Sequence, residues 1–193
     1  MSKGLKVGLI IVAILVLLVA GVASWVIGGY NKAVSMDEAV KGQWAQVENQ
    51  LKRRYDLIPN LVETVKGYAK HEKELFENIA KARTKYFSQK SINGQIKASQ
   101  GMERALSRLL LLREQYPQLK ANENFLKLQD SLEGTENRIA VERKRYNDAV
   151  KTINTYVRTF FGRTFAGLAG VEKSEYYELP QGEAEVPKVK FGN

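Results

Sequence analysis

The stretch Val7-Gly8-Leu9-Ile10-Ile11-Val12-Ala13-Ile14-Leu15-Val16-Leu17-Leu18-Val19-Ala20-Gly21-Val22-Ala23-Ser24-Trp25-Val26-Ile27 carries no charged side chain. As a helix it is long enough to cross the hydrocarbon core of a bilayer, which takes about 20 apolar residues. Val7, Leu9, Leu15, Leu18, Trp25 and Ile27 are expected to face lipid. The chain that follows is charged and helix-forming. The sequence therefore reads as a membrane anchor at residues 1–30 that carries a helical body at 31–170, with a loosely ordered acidic tail at 171–193.

Lys3 and Lys6 precede the run, and Gly21, Ala23 and Ser24 are small, as in a cleaved secretory signal. The run, however, continues past them through Trp25, Val26 and Ile27, longer than a signal core, which favours an uncleaved anchor. The positive charge at the N-terminus, Lys3 and Lys6 orients the start of the chain to the cytoplasm and exports the body. The expected location is a bacterial inner membrane, crossed once. Ala20, Ser24 and Gly28 recur at four-residue spacing, a pattern that lets membrane helices approach closely, and they are candidates for packing between spans.

Of 193 residues, 30 are Lys or Arg and 21 Asp or Glu, a net charge of +9 spread along the body. Beside an anchor, a basic surface points to anionic headgroups rather than nucleic acid. The absence of cysteine excludes disulfides, thiolate metal sites and cysteine nucleophiles. One histidine, His71, cannot build a His-rich metal site or a His relay within one subunit. No glycine-rich phosphate loop, paired catalytic carboxylates or nucleophile elbow is present. No catalytic residue, cofactor or metal ligand is expected.

In the body, Ser35-Met36-Asp37-Glu38 has the form of a capping box and marks a helix start. Trp44, Val47, Leu51, Tyr55, Ile58, Leu61, Val65 and Tyr68 then recur at steps of three and four, one face of a helix. Pro59 falls inside this pattern and is expected to kink the helix without ending it. A turn is expected at Gly67–His71. From Glu72, a second helical region carries Leu75, Ile79, and Ala82 or Tyr86, then Met102, Leu106, Leu109, Leu110 and Leu112, and closes at Pro117. Ser91-Ile92-Asn93-Gly94 interrupts it, as either a kink or a turn. The third region places Phe125, Leu128, Leu132, Thr135, Ile139, Glu142, Tyr146, Ala149, Ile153, Tyr156 and Phe160 on a 3.5-residue repeat, the pattern of coiled-coil-like packing. Glu142 is expected at the edge of this seam, in water. Short links imply antiparallel neighbours. The fold class is all-α: a membrane helix, then an elongated antiparallel bundle of three long helices, or four if the second is broken near 91–94.

Val47-Glu48-Asn49-Gln50-Leu51-Lys52-Arg53-Arg54-Tyr55-Asp56-Leu57-Ile58-Pro59-Asn60-Leu61-Val62-Glu63-Thr64-Val65-Lys66-Gly67-Tyr68-Ala69-Lys70-His71-Glu72 resembles the signature of the LemA family. Tyr116–Phe125, Leu132–Ala140 and Tyr146–Val150 match it as well, in the family's order. The resemblance implies one N-terminal membrane helix ahead of a long helical bundle, no established enzymatic activity, and a loose association with envelope and membrane organisation, with relatives in magnetosome membranes. One departure stands out. The family's usual Phe-Pro after the third helix is Phe160-Phe161 here, so Gly162–Gly170 is expected to leave the helix differently.

Arg53-Arg54-Tyr55-Asp56 is expected to make ordinary pairs on the helix surface, and Arg143-Lys144-Arg145 a solvated face. Phe160, Phe161, Arg163, Phe165 and Leu168 mix aromatic, apolar and cationic side chains as interfacial segments do. They either cap the bundle's end or, if the second helix is unbroken, form a tip remote from the anchor that touches a partner or a second bilayer. The expected function is a non-enzymatic anchored structural protein that self-associates and organises, spaces or remodels membranes. The alternative is an anchored adaptor presenting its bundle to an envelope protein such as a protease. The expected partners are the lipid bilayer, further copies of the chain and a possible envelope protein; nucleic acid is not expected.

Overall fold

The computed structural model describes residues 3–178, which are mostly helical with no strand among them. Six helices follow in order: α1 Lys3–Lys66, α2 Lys73–Ser88, α3 Ile92–Gln115, α4 Pro117–Lys120, α5 Glu123–Arg158 and α6 Phe160–Leu168. The chain divides into two compact units. One holds the residues up to Gly42 with Asp148–Ser174; the other holds Gln43–Asn147 with the chain from Glu175.

In the second unit the order of contacts fixes the direction of each helix. Asp56 and Lys66 of α1 meet Arg83 and Phe76 of α2, so α2 runs antiparallel to α1. Trp44 meets Gln95 and Tyr55 meets Glu103, so α3 runs parallel to it. Trp44 meets Tyr146 and Arg54 meets Glu136, so α5 returns antiparallel. The result is an up-down-up-down four-helix bundle, the arrangement that short links dictate. The expected stripe of α1 forms the core: Trp44, Val47, Leu51, Tyr55, Ile58, Leu61 and Val65 are buried, while Tyr68 is exposed. Ile79, Tyr86, Met102, Leu106, Leu109, Leu119, Phe125, Leu132, Ile139 and Tyr146 close it from the other helices.

The break near Ser91 is a true turn. Ser91 is the N-cap of α3, and its hydroxyl accepts from the Gly94 N–H at 3.1 Å. The second region is therefore two helices, and the bundle has four. Pro117 starts the single turn of α4, where a missing N–H costs nothing.

Three expectations are corrected. The capping box at Ser35–Glu38 starts no helix: α1 runs unbroken from Lys3 through it, so the donors it would cap already have partners one turn earlier. Asp37 and Glu38 instead flank Lys41, at 2.7 and 2.8 Å, and hold its ammonium well above the ordinary lysine range. Phe160 does not belong to the α5 seam. That helix ends at Arg158 and the seam moves from Ala149 to Val150, which is buried. A straight helix drifts against a strict 3.5 repeat, so the buried position advances. Glu142 is not in open water. Its side chain is mostly covered, one oxygen accepts from Arg145 at 2.9 Å, and the other is buried without a protein donor among the described residues.

α1 continues through Pro59. A proline there removes the donor that the Tyr55 carbonyl would use. Arg83 on α2 supplies one: its Nε donates to the Tyr55 carbonyl at 3.3 Å, its Nη2 pairs with Asp56 at 3.3 Å, and its guanidinium lies over the Phe87 ring. Asp56 thus pairs across helices and not with Arg54.

Residues 171–178 form no helix but are held, in contrast to the loose tail expected from Val171 onward. In the first unit, the side-chain amide of Asn154 grips Ser174 through both the backbone N–H and the C=O, each at 2.9 Å. In the second, Asn147 grips Tyr177 in the same way, at 2.8 and 3.1 Å. Tyr177 is buried, and its hydroxyl meets that of Ser99 at 2.9 Å. The rest of the expected tail, 179–193, lies outside the described residues.

Candidate membrane-interface site

The first unit carries the apolar run. Val7, Leu9, Leu15, Leu18, Trp25 and Ile27 are all exposed. Among the described residues α1 is the helix long and apolar enough to cross a membrane, and the most apolar window of that helix is wholly uncovered. Ala20, Ser24 and Gly28 are also uncovered, and a methyl group added at Gly28 would meet nothing.

The end of the run is a different surface. Tyr156, near the end of α5, donates its hydroxyl hydrogen to the Gly29 carbonyl at 2.9 Å, and the Lys32 amine lies 5.4 Å from the centre of the Tyr156 ring. α5 then stops. Thr159 takes an extended conformation; its hydroxyl donates to the Tyr156 carbonyl at 2.7 Å and accepts from the Gly162 N–H at 3.1 Å. This N-cap restarts the chain as α6 in a new direction. Gly162 is required here, since a side chain would collide with the Tyr156 carbonyl. The departure from Phe-Pro to Phe160-Phe161 therefore sits at the first turn of a new helix.

α6 packs on α1 through Phe165. The Phe165 and Phe161 rings each lie 4.9 Å from Trp25 in edge-on geometry. Gly29 lets the Phe165 ring settle on the α1 backbone, where any Cβ would overlap it. At its far end, α6 closes with a Schellman turn. Gly170 has φ +67°, Val171 N–H bonds to the Ala166 carbonyl at 2.8 Å, and Gly170 N–H bonds to Gly167 at 3.2 Å. Val171 and Ala166, the apolar pair that accompanies such a turn, are both buried.

The expected contact residues thus split by face. Phe165 points inward. Phe160 is 84% exposed, Phe161 55% and Leu168 63%, and Arg158 and Arg163 are exposed beside them. With the second region broken into two helices, the condition for a remote tip is not met. Phe160, Phe161, Arg163, Phe165 and Leu168 belong to the unit of the apolar run, and of these Phe161 and Phe165 meet Trp25. Residue identity showed the chemistry of this segment; only the number of helices showed where it returns.

The second unit holds a polar cluster that pattern reading missed. Arg54, 7% exposed, reaches Glu103 on α3 at 2.9 Å and Glu136 on α5. The Tyr55 hydroxyl approaches Glu103 at 3.4 Å. Burial pushes the Tyr55 and Tyr86 phenols far up, with Glu103 adding to the first and Glu48 to the second. Burial likewise raises Tyr177, and raises Tyr146 to about 12, with the nearby Glu175 carboxylate adding to the latter. Arg54 lies next to Tyr55 on the core-facing stripe, and this is the signal that marks it as buried rather than as one of a surface pair. Among the described residues no cluster of three or more metal-ligating side chains occurs.

Residues 43–191 match the LemA family. The chain belongs to that family. It is 26% identical over 184 residues to "Magnetosome protein MamQ 2" and to "Magnetosome protein MamQ 1" of Paramagnetospirillum magneticum, covering 81% of this chain and 68% of each relative. It is 25% identical over the same length to "Magnetosome protein MamQ" of Magnetospirillum gryphiswaldense, with the same coverage. LemA membership and the exposed apolar helix together describe a membrane-associated helical protein.

Proposed function

We propose that this LemA protein is a single-pass structural component of the bacterial inner membrane that self-associates and organises, spaces or remodels it. Its N-terminus is cytoplasmic and its bundle exported. The observation that carries this reading is α1 itself: one helix is uncovered and apolar in its first part and amphipathic and packed in the rest. Charge asymmetry about the run supports the orientation. The uncovered Ala20, Ser24 and Gly28 support side-by-side association within the bilayer. The relatives named as magnetosome proteins support a role in membrane organisation.

A second reading has its own observation. A groove of about 560 Å³ opens between α1 and α2, lined by Ile58, Pro59, Val62, Phe76, Ile79 and Arg83 among others. It suits an anchored adaptor that presents its bundle to an envelope partner. Electron microscopy of the full-length protein reconstituted in membranes separates the two. Rings, lattices or reshaped membranes support the scaffold, and deletion of residues 1–30 then abolishes them. A monodisperse monomer on unaltered membranes refutes the scaffold, and a stoichiometric complex with one envelope protein supports the adaptor.

A further inference from the structure

α6 has two apolar faces, and α1 covers one of them. Phe165 packs on α1, and Gly162 and Ala166 are buried on the same side of the helix. Phe160, Phe161, Thr164 and Leu168 fall together on the other side of the helix and are all exposed. At 100° per residue they span about a quarter of the circumference. Arg163 lies at one margin of this face, and Arg158 lies just ahead of the helix. A helix with an uncovered aromatic face and cationic margins suits the boundary between headgroups and acyl chains.

Its position is set independently of its composition. Phe161 and Phe165 touch Trp25, so α6 occupies whatever depth Trp25 takes. Trp25 is two residues from the end of the 21-residue apolar run Val7–Ile27, about 3 Å along the axis. If that run spans the bilayer, Trp25 sits at its boundary, where Trp and Tyr concentrate. Just beyond it along α1, the Tyr156 ring and the Lys32 ammonium add a further aromatic and cationic pair.

We propose that α6 lies in the plane of the same leaflet from which the Val7–Ile27 run emerges, with Phe160, Phe161 and Leu168 among the acyl chains and Arg158 and Arg163 on anionic headgroups. The protein then holds its membrane in two ways, by a span and by a shallow wedge beside it. The wedge displaces headgroups in one leaflet only, which gives the organising role a physical means. The inference rests on the spanning part of the proposed function and does not need self-association.

The native chain lacks cysteine, so single substitutions take a spin label cleanly. Full-length protein carrying Phe160→Cys, Thr164→Cys or Leu168→Cys is placed one copy per nanodisc, with Arg163→Cys and Ser131→Cys as references. Collisions with dissolved oxygen and with a water-soluble nickel chelate are then measured. The expected result is strong oxygen and weak nickel collision at 160, 164 and 168, mixed values at 163, and full nickel access at 131. Adding phosphatidylglycerol to phosphatidylcholine deepens the three labels, and Arg158→Gln with Arg163→Gln cancels that response. Nickel access at 160 and 168 equal to that at 131 overturns the proposal. So does protection that appears in crowded vesicles but not in single-copy nanodiscs, because the face is then covered by a second copy or a second bilayer. Depth that responds to neither the lipid nor the arginine change overturns the headgroup role. Because each disc holds one copy, failure of assembly in the scaffold experiment leaves this result standing, and the reverse.

Discussion

Replacing Arg54 by methionine keeps most of its volume and removes its charge. The guanidinium is nearly covered and joins three helices, reaching Glu103 on α3 and Glu136 on α5. Breaking a buried ion pair by removing one member costs about 3–5 kcal/mol, because the remaining charge stays out of water. Here the two carboxylates differ. The Glu136 side chain is 44% exposed and regains solvent, while that of Glu103 is 18% exposed and does not. The loss therefore sits at the low end, about 3 kcal/mol. For a chain of this size that lowers the melting temperature by roughly 6–12 °C. Thermal unfolding of the full-length protein in detergent, followed by circular dichroism, measures it. Pairing Arg54→Met with Glu103→Gln recovers most of the loss, since no charge is then stranded. A loss below about 1 kcal/mol, or a double variant no better than the single one, refutes the idea that this pair is closed to water.

Arg83→Leu strips the Tyr55 carbonyl of its donor and costs about 1–3 kcal/mol. Adding Pro59→Ala restores a backbone N–H to that carbonyl, so the double variant is more stable than Arg83→Leu alone by urea titration. The raised phenols set an alkaline limit. A folded pKa above the unfolded value of about 10 gives stability that is complete below pH 10 and falls as pH rises through the folded value. Tyr146, raised to about 12, accounts for about 3 kcal/mol of loss between those limits, and Tyr146→Phe flattens the stability profile measured from pH 9 to 12. Asn154→Ala removes both bonds to Ser174; limited proteolysis then cuts near residues 172–176 faster, with helix content unchanged.

Much of the bundle was legible because burial follows the helical period. The α1 stripe from Trp44 to Val65 is the core, and Pro117 and the turn at Gly67–His71 end helices as their chemistry requires. What stayed hidden depended on facts that a local pattern does not hold. Ser35–Glu38 has the letters of a helix start but follows a helix already under way. Ser91 looked alike as kink or turn, and that one choice decides whether Phe160–Leu168 ends far from Trp25 or against it. Tyr177 lies in a stretch whose composition reads as loose, and it is held by Asn147 and Ser99, both distant in sequence. Arg54 carried a surface residue's identity at a core residue's position.

The bond between Tyr156 and Gly29 joins groups 127 positions apart. At about 5–20 residues per second of translation, Gly29 leaves the ribosome roughly 6–25 s before its partner exists. Throughout that interval the groove at Gly29 that Phe165 will fill stands open. Nascent chains on neighbouring ribosomes offer the same groove and, later, the same ring. Exchange of α6 between copies is therefore easiest during synthesis, and the spacing of ribosomes on the message decides how often it is tried.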